Sequence, residues 1–270
     1  MSTLEQGLYE LGRLDQAACA DTPVHRLDPR AKVITTLVFI VCIVSFGKYD
    51  VLPMLPFMVF PIALASEGGL SFGLIGKRLL IAAPFAVFVG IFNPLLDREI
   101  VAHIGSIAIS GGWVSYASIL ARFVLTVSAA LVLIGTTRFN DVVLALQRIG
   151  MPEVLATQLL LLYRYIFVLA EEVMRMSRAR TLRSFGDRGM GMRVYIQMLG
   201  QLLLRTFARA ERIYAAMLGR GFTGQVRSGR RLVFTARDAV FILGWCGAFL
   251  AFRLLNIPLL LGSVVMRLGS

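Results

Sequence analysis

Residues 153–183 read EVLATQLLLLYRYIFVLAEEVMRMSRARTLR, and residues 192–221 read MRVYIQMLGQLLLRTFARAERIYAAMLGRG. The first tract carries the apolar runs 159–162 and 166–170, broken by Gln158 and Arg164. It then passes without interruption into Glu171-Glu172 and Arg175, Arg178, Arg180 and Arg183. Its hydropathy would admit a membrane span, but the unbroken charged continuation predicts one long helix, partly embedded in protein, with a basic end. In the second tract Leu199, Leu202, Leu203, Phe207, Ala210, Ile213, Tyr214, Met217 and Leu218 recur at helical spacing as one apolar stripe. Arg205, Arg209 and Arg212 stand at i, i+4 and i+7, which predicts a basic face roughly opposite that stripe. The tracts finish in similar triplets, Ala179-Arg180-Thr181 and Gly219-Arg220-Gly221. Between them Gly186-Asp187-Arg188-Gly189-Met190-Gly191 reads as a hinge, since no strand precedes it and no Gly-Lys-Ser/Thr follows to cradle phosphate.

The 270 residues taken together are membrane-like, with 57% hydrophobic residues, 16% charged residues and a mean hydropathy of +0.74. A net charge of +12 could suggest nucleic acid, but the cations lie beside apolar spans, where the positive-inside rule accounts for them. No nucleic-acid partner is expected, and the natural surroundings are membrane lipid. Cys19, Cys42 and Cys246 lack metal-ligand spacing and read as small core residues with no disulfide framework.

Residues 1–29 lack the features of a signal peptide and are expected on the cytoplasmic side. Pro29 suits a first helical position with Asp28 as its cap, and His25, Arg26, Arg30 and Lys32 are expected at the headgroups. Spans are predicted over 31–46, 51–65, 79–96, 113–135 and 238–261, the second crowded with Pro53, Pro56 and Pro61. The stretch 100–112 is too short to cross and is expected to be external or re-entrant. Arg122, inside the fourth span, is either a contact within an assembly or a structural arginine bonded to carbonyls or snorkelling. Between 138 and 237 lie more than half the basic residues, all arginine, against six acids, so this region is read as cytoplasmic. Within it 139–149 reads as a short amphipathic helix stopped by Gly150. The last span is interrupted by Arg253 and by Asn256-Ile257-Pro258, and five spans from an inside N-terminus leave 266–270 outside.

The expectation is thus an all-α membrane protein with about five transmembrane helices and long cytoplasmic helices. Its regions are an N-terminal segment (1–29), four spans (30–135), the arginine-rich region (136–237) and a last span with a short tail (238–270). Catalytic signatures are missing: there is no Walker motif, no His-Glu-x-x-His, no Gly-x-Ser-x-Gly and no Cys-x-x-Cys pair. Ser45-Phe46-Gly47-Lys48 matches Ser-x-x-Lys but stands alone at a span end, where lysine is an ordinary anchor. His25 and His103 are assigned to opposite sides of the membrane and cannot share a metal. An enzyme is not expected; a membrane body with a cytoplasmic helix pair is the design of a coupling device. A self-sufficient secondary carrier or channel with Arg122 and Arg253 on its path is the alternative, and an anchor for another complex is a third class.

On these motifs the chain resembles the transmembrane T component of energy-coupling-factor transporters, in the cobalt/nickel-type CbiQ subgroup. The resemblance is carried by Leu27-Asp28-Pro29-Arg30-x-Lys32, by Tyr163-Arg164-Tyr165-Ile166-Phe167 followed by Glu171-Glu172, and by Arg209-Ala210-Glu211-Arg212-Ile213-Tyr214-x-Ala216-Met217 leading into Arg220-Gly221-Phe222. In that family two coupling helices each end in an Ala-Arg-Gly-like triplet; here the arginines are 220 − 180 = 40 residues apart. Thr181 replaces a glycine and Gly219 an alanine, and nearby Arg178 and Arg183 leave the motif arginine of the first helix open. The resemblance implies a scaffold that hydrolyses nothing and binds no cofactor, with ATP held on two cytoplasmic ATPase subunits. It also implies a separate substrate-capturing membrane subunit for cobalt or nickel, and an inner-membrane location.

Overall fold

The computed structural model describes residues 21–96, 100–104, 107–183, 191–224 and 233–254, without side chains over 95–110. Cys19, the 186–190 hinge, the 256–258 break, the 266–270 tail and the His103 side chain lie outside the described residues. The chain is an all-α membrane protein whose one departure, among the described residues, is an antiparallel hairpin, β1 (Ile100–Ile104) and β2 (Ile107–Ser110). Its described residues divide into two compact units, one holding those within 21–138 and 233–254, the other those within 139–224.

In the first unit, α1 (Pro29–Val44) starts where expected: Pro29 occupies the first turn and Asp28 Oδ1 accepts from the Arg30 amide at 2.8 Å. The second expected span is instead a 3-10 helix, Leu52–Met58, leading into the short helix α2 (Val59–Glu67). Pro56 lacks the amide that an α-helix would bond to the Leu52 carbonyl, whereas Pro53 falls in the first turn where no such bond is needed, and the tighter turn keeps i→i+3 bonds such as Met54 N–H to the Val51 carbonyl at 3.2 Å. The third helix, α3 (Phe72–Gly90), begins a full two turns before Leu79 and takes Lys77 and Arg78 into its first half. A short helix α4 (Phe92–Leu96) follows, then the hairpin, which occupies most of the stretch expected to be external or re-entrant. The fourth span is α5 (Gly111–Thr136), and α9 (Ala236–Leu254) is the described part of the last.

The core of this unit is aromatic. Phe39 of α1, Phe57 of the 3-10 helix, Phe60 of α2 and Phe249 of α9 are fully buried, with ring centroids 4.8 Å apart for Phe39–Phe60 and 5.9 Å for the stacked Phe57–Phe249. Leu125, Ala129 and Val132 of α5 close the cluster. Helices α3 and α5 meet at Gly90, where an added Cβ would stand 2.7 Å from Tyr116 Cδ2, so glycine is what permits the approach.

The second unit contains α6 (Phe139–Ile149), α7 (Glu153–Arg183) and α8 (Met192–Gly219), with α6 and α7 at the expected bounds. Among the described residues, three helical stretches are long and apolar enough to cross a membrane: Phe72–Pro94, Gly111–Thr136 and Glu153–Arg183. The third is the tract read above as lying outside the bilayer, so length and composition alone do not separate it from a span. Of the other expected spans, α1 has 16 residues, about 24 Å at 1.5 Å per residue, and α9 carries Arg237, Asp238 and Arg253.

Candidate coupling site

Helix α6 ends at Gly150, whose φ is +133° and whose N–H reaches the Leu146 carbonyl at 3.2 Å. Pro152 then precedes α7, its carbonyl accepting from Ala156 N–H at 3.2 Å. Phe139 stacks on Tyr163 at 4.5 Å, and Thr157 Oγ1 donates to the Gly224 carbonyl at 3.2 Å, fixing the start of α7 to the chain just beyond the second triplet.

Further along, Glu172 holds α7 to α8. Its carboxylate accepts from Arg175 on its own helix at 2.7 Å and from Arg205 on α8 at 2.8 Å. The glutamate side chain is only 17% exposed, against 62% and 59% for the two arginines, so the anion is shielded while the cations reach outward. Beside this pair lies an apolar groove of about 620 Å³, with Leu161, Tyr165 and Leu169 on one wall and Ile213, Tyr214 and Met217 on the other.

The apolar stripe of α8 is divided. Leu202, Thr206, Arg209, Ile213 and Met217 are half-buried, whereas Leu199, Leu203, Phe207, Tyr214 and Leu218 are exposed, and α8 has no fully buried residue. Arg209 lines the groove, which corrects the expected basic face opposite the stripe. The i, i+4, i+7 spacing does keep Arg209 beside Arg205 and Arg212, which line a second pocket together with Glu172, but the narrow contact of two helices recruits the i, i+3, i+4 set that includes residue 209, so the basic face borders that contact.

The two triplets end their helices differently. Arg220 is the C-cap of α8, Gly221 has φ +78°, Gly221 N–H reaches the Leu218 carbonyl at 2.9 Å and Phe222 N–H the Met217 carbonyl at 3.0 Å. This pair of bonds is a Schellman ending, and the left-handed residue it requires is the glycine of the triplet. Thr181 is instead helical: α7 continues to Arg183, and the Thr181 hydroxyl donates to the Arg178 carbonyl at 2.8 Å. A helix that does not turn at position 181 has no need of glycine there. Ala179, Arg180, Thr181, Gly219, Arg220 and Gly221 are all exposed, as are Arg178 and Arg183.

Arg122 is in the first unit, away from these residues in sequence, and donates to the Phe46 carbonyl at 3.0 Å and also to the Gly47 carbonyl. Arg253 of α9 donates to the Ser45 carbonyl at 3.0 Å and lies 4.1 Å over the Phe46 ring. Two arginines from different helices therefore converge on the carbonyl end of α1, where a dipole favours cations. That is the structural version of the Arg122 expectation.

The expected headgroup position of Lys32 is corrected. Its side chain is buried, with Nζ donating to the Thr136 carbonyl at 2.9 Å, because the polar ends of α5 and α9 enclose it. No local pattern in the sequence signals this pairing, whereas Thr235-x-x-Asp238 has the form of a capping box, and Asp238 Oδ2 accepts from the Thr235 amide at 2.8 Å. No cluster of three or more His, Cys, Asp or Glu side chains that could hold a metal ion occurs among the described residues.

Residues 20–230 match the family model CbiQ, described as "Cobalt transport protein". The chain is 29% identical to the "Energy-coupling factor transporter transmembrane protein EcfT" of Bacillus subtilis, over 82% of this chain and 89% of that protein. It is 30% identical to the EcfT protein of Limosilactobacillus fermentum, over 75% of this chain and 80% of that one. An uncharacterized protein of Methanocaldococcus jannaschii is 29% identical over 82% of this chain and 78% of its own length. With the paired helices and their arginine-bearing ends, these matches place the chain in the CbiQ family, as a transmembrane T component of energy-coupling-factor transporters.

Proposed function

We propose that the chain is the coupling scaffold of an importer for cobalt or nickel ions, transmitting the motion of two cytoplasmic ATPase subunits to a separate substrate-binding membrane subunit. The observation that carries this reading is the exposed pair Arg180 and Arg220, whose side chains make no hydrogen bond or ion pair among the described residues, on helices joined by Glu172 and Arg205. Arginine keeps its charge and offers a planar fork of donors to carboxylates or carbonyls. The Schellman turn at Gly221 sends the chain away from Arg220, so that the helix tip is free to enter a groove. Burial of one such pair makes truncation costly, about 2–5 kcal/mol.

ATP is held by the ATPase partners and no cofactor by this chain. The family's description supports cobalt as cargo, and the ion-selecting ligands belong to the membrane partner. The protein resides in the inner (plasma) membrane with its N-terminus and its arginine-rich region on the cytoplasmic side. The test is affinity purification of the tagged protein in mild detergent, with and without Arg180→Ala and Arg220→Ala combined. Walker-motif ATPases and a small membrane protein should accompany the wild type, and the double variant should lose the ATPases. Equal recovery from both forms would remove the assignment of the two arginines. Wild-type protein that purifies alone would remove the scaffold itself.

A further inference from the structure

The peptide chain leaves the first unit between Arg138 and Phe139, and its described residues belong to that unit again from 233 onward. Any force from α7 and α8 that is carried covalently must pass these two connections. Inside the first unit, both are fastened to the same short piece of chain, the start of α1. Lys32, 3% exposed, donates from Nζ to the carbonyl of Thr136, the last residue of α5 before the outgoing connection. Asp238, 2% exposed and in the first turn of α9 after the returning connection, accepts from the Asp28 amide at 2.7 Å through Oδ1. Its Oδ2 accepts from the Thr235 amide at 2.8 Å and from the Thr235 hydroxyl at 2.6 Å.

We infer that Lys32 and Asp238 form a clamp through which movement of the arginine-bearing helices reaches the membrane helices. The inference rests on the coupling reading above and names the residues that would carry it. Its physical basis is stiffness. A buried lysine on a main-chain carbonyl and a buried carboxylate with three donors cannot exchange partners with water, so displacement of either connection displaces the N-terminus of α1. Through Phe39 and Ile43, α1 is packed into the aromatic core with α2, α5 and α9, and a rigid core passes the displacement on. Lys32 and Asp238 are positioning residues in this scheme; neither touches cargo or nucleotide.

The test uses the complex captured by the tagged full chain, followed by hydrogen exchange with and without ATP. In wild type, ATP should change exchange in α7–α8 and also in α1 and α5. In Lys32→Met and Asp238→Ala, capture and the α7–α8 response should persist, whereas the response of α1 and α5 should fall about tenfold. Thr235→Ser, which keeps the hydroxyl, should behave as wild type. A wild-type response of α1 and α5 in both variants overturns the clamp, and so does loss of ATPase capture by them, which would mark a general folding role. A wild-type chain that captures no ATPase fails at an earlier step and overturns the coupling reading along with it.

Discussion

The two glycines flanking Arg220 should respond in opposite directions to the same substitution. Gly219 is helical and an added Cβ meets nothing within 4 Å, so Gly219→Ala gains helix propensity, about 0.8–1 kcal/mol. Gly221 also has open space around it, but its φ of +78° is the left-handed region, where a Cβ costs about 1–2 kcal/mol. Sterics around the side chain are absent in both cases, which leaves backbone conformation as the sole difference. The amides of Gly221 and Phe222, bonded to Leu218 and Met217, report the ending directly. Their exchange should quicken about 5–30-fold in Gly221→Ala and slow in Gly219→Ala, since each 1.4 kcal/mol is a factor of ten. ATPase capture should weaken with the first and hold or improve with the second. Equal exchange in the two variants would refute the claim that the second triplet ends in glycine for a conformational reason.

Arg122→Met and Arg253→Met should each lower the melting temperature in detergent, Arg122 by an amount equivalent to about 1.5–3 kcal/mol, the worth of hydrogen bonds from a charged donor. Because Arg122 and Arg253 cap the carbonyls of consecutive residues, the double variant should depart from additivity, whereas strict additivity would mean that the two cations act separately. Gly90→Ala drives a methyl to 2.7 Å from Tyr116 and should cost about 1–3 kcal/mol by overpacking, relieved in part by Tyr116→Ala; thermal unfolding of the single and double variants checks this.

Local sequence determined a good deal. The stop signals located the end of α6 and the start of α7, because Gly150 and Pro152 act on the backbone within one turn. The Asp28 cap and the resemblance through Arg180 and Arg220 were legible for the same reason: motif and consequence lie in one segment. Proline effects were only half legible, since Pro53 and Pro56 signalled trouble for a helix without saying that a 3-10 turn would resolve it. What tertiary structure decided was the partner of each charge. Lys32 meets the end of α5, Asp238 meets the start of α1, Glu172 meets Arg205, and Arg122 and Arg253 meet one carbonyl cluster. Spacing along a chain shows that a buried or intramembrane charge needs a partner, but the partner is chosen by helix packing across separations of tens to hundreds of residues, where no local periodicity reaches.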